Sequence, residues 1–302
     1  MRNKTLAAVS FIALTAILFA PFQIYAATVS GSDANAPLPD QDGIYDVANN
    51  PDLKLQVEVL RAAPEQNALE QSYALPINFP RINLPKMPRI PTGNPPAGYN
   101  PPAGGGKTAP KISGNCSDPN SSVPDSFLKS HLPSGAWTYS LNTRGVPSSV
   151  GAGNLATIAS KSLSEWASAA NSKVNFEQSS NSSSNRGAKD GKNTIAFGPA
   201  PQRALGVTYT WYDRSGAIAE VDTILNSALP WTWSGSSSGV CDPSAYDAQN
   251  ILTHELGHWM GLADSYSSSA ANNTMFGYGA KGEIKKGTLA TGDINSVRAI
   301  YR

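Results

Sequence analysis

Three hundred and two residues allow one sizeable domain with an appendage, or two small domains. The formal net charge of +1 leaves no basic excess to neutralise phosphates, which argues against a nucleic-acid partner. Charged residues make up only 15% of the chain while Ser, Asn and Gly are plentiful, a balance that suits an exported protein with long polar loops.

The amino terminus agrees with export. Met1-Arg2-Asn3-Lys4 is a short basic region, Leu6 to Ala20 is an apolar core, and Ile24-Tyr25-Ala26-Ala27 ends in small residues. This pattern is that of a secretory signal peptide over residues 1–26, cleaved near Ala26 or Ala27, and it predicts a secreted, extracellular protein. A retained membrane anchor is the alternative, but the apolar run is short for a span of about 20 residues. No other stretch could cross a bilayer, so no stable membrane insertion is expected after cleavage.

Residues 27–75 read as a pro-region. Within them, Leu53 to Leu60 alternates apolar and polar residues as a strand does. From Pro76 to Pro110 about ten prolines occur, with Gly104-Gly105-Gly106 near the end, so residues 76–112 form an extended linker. A pro-segment would keep an enzyme inactive until export; a spacer with no inhibitory role fits the same composition.

A folded domain is predicted over residues 113–302. Trp137 to Leu141 alternates like a strand. Leu155, Ile158, Ala159, Leu163, Trp166 and Ala170 recur at helical spacing, giving an amphipathic helix from about Asn154 to Asn171 whose stripe is core. Val174 to Glu177 and Thr194 to Phe197 are short strands on either side of a Ser/Asn-rich loop. Leu205 to Tyr212 and Ile218 to Leu225 form a hairpin around Asp213-Arg214-Ser215-Gly216. A helix follows from about Ser244 to Leu262. A closing helix runs through Asp293 to Tyr301, with Thr291 as its cap.

The chemistry sits in His254-Glu255-Leu256-Gly257-His258-Trp259-Met260-Gly261-Leu262-Ala263-Asp264. Two histidines four apart on a helix face the same way and can reach one metal ion. Zinc accepts nitrogen ligands of this kind, and a catalytic zinc keeps one position open for water. Glu255 is placed to act as a base on that water. Gly261 stands where a helix could stop through a left-handed residue, and Asp264 is near enough to be a third ligand.

This stretch resembles the metzincin zinc peptidases, whose motif runs H-E-x-x-H-x-x-G-x-x-H; with Asp264 in the last place it is similar to the snapalysin-type variant. The order strand, helix, four strands, helix, loop, helix resembles the matrixin branch over roughly residues 113 to 302. The resemblance implies an α+β zincin fold: a twisted five-stranded mixed sheet, an active-site helix, a methionine turn and a C-terminal helix. It implies one catalytic Zn2+ on His254, His258 and Asp264, with Glu255 as general base. Met275 would lie in the supporting methionine turn. The Leu205–Tyr212 edge strand would take an extended protein or peptide substrate by strand addition. Phe276 to Gly279 would border the pocket for the side chain after the cut, and Tyr278 either donates to the oxyanion or lines that pocket.

The departures are specific. The loop that holds structural zinc and calcium in matrixins is reduced here to Gly198 to Arg203, without histidine or acid, so a Ca2+ site has no support in the sequence. With three histidines in the chain, a second histidine-rich zinc site is excluded, and His131 reads as a surface or loop residue. Cys116 and Cys241 are the only cysteines. An even count in an oxidising compartment favours a disulfide between them, and Cys116 as a thiol switch capping the zinc is the alternative.

These residues predict a secreted zinc endopeptidase that hydrolyses peptide bonds with a zinc-activated water. A variant of this reading puts the third ligand at Glu283, in a charged loop. A non-catalytic zinc-containing binding or adhesion module is the reading of a different class, and the intact Glu255 argues against it.

Overall fold

The structure, a computed structural model, describes residues 24–29, 37–63, 117–179, 181–201, 203–233, 235 and 241–302. Most of the expected signal peptide, the whole expected linker and Cys116 lie outside the described residues. Among the described residues no helix is long and apolar enough to cross a membrane.

Three strands precede the expected catalytic domain: β1 (Ile24–Val29), β2 (Gly43–Val47) and β3 (Leu53–Ala62). Then follow β4 (Gly135–Asn142), helix α1 (Leu155–Ala169), β5 (Val174–Gln178), β6 (Thr194–Gly198), β7 (Ala204–Asp213) and β8 (Ile218–Asn226). The short strands β9 (Trp231–Thr232) and β10 (Tyr246–Asp247) pair with each other ahead of helix α2 (Ala248–Trp259). Strand β11 (Tyr278–Gly279) and helix α3 (Thr291–Ile300) complete the chain.

Strands β4 to β8 are the five expected strands, in the order β7-β8-β6-β4-β5, and three helices accompany them: the α+β zincin arrangement. The β8–β6, β6–β4 and β4–β5 pairs are parallel, and β7–β8 is the antiparallel hairpin. The sheet is wider than five strands, however, because it continues through β3, β2 and β1, with β11 also on β3. β3 lies antiparallel along β7 from Leu53↔Asp213 to Arg61↔Ala204. Without it, β7 would present a row of unpaired backbone donors and acceptors.

The two faces of β3 explain why it settles there. Leu55, Val57 and Val59 pack with Tyr45, Val207, Tyr209, Trp211 and Ile224 in a second core. Gln56, Glu58 and Leu60 alternate onto the opposite face, where Leu60 joins the main core beneath the helices. Each such aliphatic side chain contributes about 1.5–3 kcal/mol on full burial.

Two boundaries shift for local reasons. The helix expected from Ser244 begins at Ala248, because Tyr246 and Asp247 are committed to β10 and the Asp247 carboxylate caps the helix by accepting from Asn250 N at 2.8 Å. The cap position of α3 is Ala290, not Thr291: the Asp293 carboxylate reaches back to Ala290 N at 2.8 Å and does the capping. The apolar stripe of α1 is core, as its spacing predicts, and Trp166 donates from Nε1 to Thr253 O of α2 at 2.8 Å.

Candidate metal centre

Helix α2 is buried along its whole length, an unusual setting for a segment carrying two histidines and a glutamate. Its four-residue spacing puts His254 and His258 one turn apart, with rings 5.1 Å apart at 87°. Gly257 between them has no side chain for a reason: a Cβ there would lie 2.2 Å from Met275 Sδ. Met275 is itself fully buried beneath the helix. After Met260 the helix is stopped by Gly261 at φ 94, the left-handed conformation that the sequence predicts. The chain then turns back and delivers Asp264 to the two histidines.

Backbone carbonyls fix both histidine tautomers. His254 Nδ1 lies 2.7 Å from Thr274 O, and His258 Nδ1 lies 2.8 Å from Leu262 O. A carbonyl only accepts, so each Nδ1 carries the proton and each Nε2 offers a lone pair. Burial pushes His258 down to about 4, which keeps it neutral. Asp264 Oδ1 sits 3.0 Å from His254 Nε2 and 3.7 Å from His258 Nε2. Burial acts to raise the Asp264 carboxyl, and the Tyr266 hydroxyl bonded to it acts the other way.

These atoms fit a zinc ion. One ligand atom from each of His254, His258 and Asp264 lies within 4.8 Å of the others. Bonds of about 2.0–2.1 Å in a tetrahedron put ligand atoms roughly 3.3 Å apart, between the two separations found. His254 Nε2, His258 Nε2, Asp264 Oδ1 and Glu255 Oε1 are all buried without a hydrogen-bond partner. Two imidazole lone pairs and a carboxylate oxygen in a dry pocket repel one another unless a cation lies between them.

Glu255 has one oxygen tied and one free for chemistry. Thr208 Oγ1 on β7 donates to Glu255 Oε2 at 2.6 Å, leaving Oε1 as the unpartnered atom. Gly206, two residues earlier on β7, makes room for it: a Cβ at 206 would lie 2.4 Å from Glu255 Oε1. Burial raises the Glu255 carboxyl well above its ordinary value, with Asp264 and Asp42 adding to the shift and the Thr208 bond opposing it.

Several contributors carry no signal in the sequence. Tyr266 donates its hydroxyl to Asp264 Oδ2 at 3.1 Å and so orients the carboxylate. Asp293 accepts from Thr274 N at 3.0 Å and Met275 N at 3.3 Å, fixing the turn whose Thr274 carbonyl holds His254. Only the two-residue offset of Tyr266 from Asp264 could have hinted at the first. Nothing linear points to Asp293 or Thr208.

The remaining expected residues fall as follows. Tyr278 lies in β11, its ring 5.3 Å from Tyr266 and 5.9 Å from Phe276. Glu283 accepts from Asn250 Nδ2 at 3.2 Å and stands apart from the histidine–aspartate group, so the version with Glu283 as third ligand finds no geometry. His131 sits on a loop against Tyr301, its ring 6.2 Å away. Cys241 is disulfide-bonded, and Cys116 is the only other cysteine in the chain. The two acids of β8 are taken by protein donors. Asp222 accepts from Ala188 N and Thr194 N, and Glu220 from Asp190 N, Gly191 N and Lys189 Nζ.

Among comparisons with known proteins, the family model described as Matrixin matches residues 134–302. No curated protein matches the chain.

Proposed function

Because the chain belongs to the matrixin family of zinc-dependent peptidases, we propose that it is a secreted endopeptidase in which His254, His258 and Asp264 hold the zinc and Glu255 is the general base. The observation that carries this reading is the cluster of three buried, unpartnered ligand atoms, two imidazole Nε2 and Asp264 Oδ1, within 4.8 Å of one another, on the helix that also buries an unpartnered Glu255 Oε1. A purely structural zinc would be closed by a fourth protein ligand and would have no use for a glutamate beside it.

Zinc, when bound, polarises the scissile carbonyl and lowers the pKa of a water from 15.7 towards about 7. The chain's own groups do the rest. The carbonyls of Thr274 and Leu262 keep both imidazoles in the ligating tautomer. Tyr266 holds the distal oxygen of Asp264, leaving Oδ1 turned towards the two imidazole Nε2 atoms with which it would hold a zinc. Glu255 Oε1 takes the proton of the attacking water and delivers it to the leaving amine, while Thr208 keeps the carboxylate from swinging away. Tyr278, in β11, is the proposed donor to the developing oxyanion.

The domain boundaries belong to the same proposal: signal peptide 1–26, pro-region 27–75, linker 76–112 and catalytic domain 113–302. The basic start, the apolar Leu6–Ala20 core and the small residues at Ala26-Ala27 support export. Amino-terminal sequencing of the extracellular protein tests it, and a mature form that begins at Met1 would sink it.

The decisive experiment compares casein digestion by the activated protein and by its Glu255→Gln variant, with bound zinc measured in both. The expected result is one zinc per chain in each and digestion by the first alone, abolished by a chelator. Equal digestion by the variant would remove Glu255 from the mechanism.

A further inference from the structure

We propose that Lys286 is a positioning residue of the metal centre: its buried ammonium closes the carbonyl side of the 273–276 turn, as the Asp293 carboxylate closes the amide side, and so holds the turn that orients His254. The inference rests on the zinc reading above and names a side chain that acts through others, without touching the ion or the reacting atoms.

Three observations carry it. First, among the described residues Lys286 is the one lysine or arginine that is buried, and it is fully so. Taking an ammonium out of water is costly even when it finds partners, and an apolar side chain of similar length would fill the same space more cheaply. Packing alone does not account for a lysine here.

Second, its partners are the two ends of one turn. Lys286 Nζ donates to Phe276 O at 2.7 Å and to Asn273 O at 3.5 Å. It also stands 5.4 Å from the centre of the Phe276 ring, with Lys285 Nζ 5.7 Å from the same centre. Between the two carbonyls lie Thr274, whose own carbonyl receives His254 Nδ1, and Met275, whose sulfur lies against Gly257. Asp293 accepts from the amides of those same two residues. A cation on the carbonyls and an anion on the amides fix the turn from both sides, with bonds roughly twice as strong as neutral ones.

Third, the same lysine is tied to the histidine helix. Lys286 N donates to Asn250 Oδ1 at 2.6 Å, and Asn250 lies one turn before His254 in α2. Asn250 Nδ2 in turn donates to Glu283 Oε1 at 3.2 Å, the oxygen that lies 3.8 Å from Lys286 Nζ. The helix that carries His254 and the turn that orients its ring are thus joined through one residue. The charged groups around the ammonium are Glu283 and Lys285 on its own segment, Asp293 on α3, Asp264 after α2, and Asp125. Burial outweighs the acids among them and brings the ammonium down to about 8.

The test measures the zinc affinity of the full-length chain across neutral and alkaline pH, by competition with a chelating dye. Lys286→Met keeps the length of the side chain and removes the charge. Its zinc affinity should be about tenfold below that of wild type at neutral pH. The gap should close as pH rises through about 8, because the wild-type lysine then loses the same charge. Repeating the pair in an Asp125→Asn background removes a second group that titrates near that pH. Glu283→Gln changes a partly exposed residue, keeps an acceptor for Asn250 and takes away the counter-charge. Its zinc affinity should begin to decline at a lower pH than that of wild type, and an unchanged profile would overturn the role of the ammonium. Equal affinity of wild type and Lys286→Met, or a loss of the same size at every pH, overturns the proposal and leaves Lys286 a packing residue. A wild-type chain that takes up no zinc overturns the metal centre itself. If zinc binding follows the prediction but the zinc-loaded protein cleaves nothing, the peptidase reading fails and the positioning role stands.

Discussion

Helix α2 and strand β3 both lie against the same stretch of β7, around Gly206 and Thr208, and they got there by different means. α2 brings its chemistry in a local pattern: two histidines one turn apart, the glutamate between them, and a glycine that ends the helix at φ 94. β3 brings nothing reactive of its own. It matters because Leu60 and Glu58 fall opposite Gly206 and Thr208, across a separation of nearly 150 residues. One region carries the proposed chemistry and the other covers the strand that holds Gly206 and Thr208.

The largest effect expected is at Glu255. Glu255→Gln keeps the shape and removes the base, so kcat of the activated enzyme should fall about 10²–10⁴-fold while zinc content stays constant. A fall in bound zinc alongside would mean that Glu255 serves the metal and would blur the contrast with β3. Asp264→Ala should instead strip the metal. Zinc titration should then show reduced stoichiometry or affinity, and undiminished binding would remove Asp264 from the ligand set.

Gly206→Ala probes the point where the two regions touch. Its Cβ would fall 2.4 Å from Glu255 Oε1 and must displace the carboxylate. A misplacement of about 1 Å costs on the order of 10²-fold in rate, which a single-turnover assay would read. Tyr266→Phe is milder. Losing the hydroxyl that orients Asp264 should weaken zinc binding about 10–100-fold, measured by competition with a chelating dye.

The smallest effect lies outside both regions and serves as a control. Asp125 sits beside Asp293 and accepts from Asn273 Nδ2 at 2.6 Å. Burial, with the nearby Asp293 charge, pushes its carboxyl up from 3.8 to about 8. The folded protein thus keeps a proton that the unfolded chain has lost. That contribution to stability is complete below about pH 4, falls as pH rises, and is gone above about pH 8. Asp125→Asn should flatten this decline, so Tm measured at pH 9 should rise relative to wild type.

Much of the catalytic half was legible. The spacing of Leu155, Ile158, Ala159, Leu163 and Trp166 gave α1, and alternation gave β4 and the β7–β8 hairpin, because periodicity records which face is buried. The proposed metal ligands come together for a similar reason: a helix converts a four-residue spacing into a shared face, and Gly261 marks where the chain must turn. The supporting groups were not. Thr208, Tyr266 and Asp293 act through side chains and backbone atoms that only folding brings near. The α3 cap was misplaced onto Thr291 because the side chain that caps is Asp293, inside the helix.

The same division separates the two regions with which the comparison began. By itself the sequence determined the strand character of Leu53–Leu60, the helix, the pair of histidines on its one face and the family, since each is written in residues close together along the chain. Only the tertiary structure decided that β3 lies on β7, extends the sheet towards β2 and β1 and packs Leu60 into the main core. Alternation says that a strand has two faces, but which edge it joins, and in what register, depends on distant side chains filling the same space.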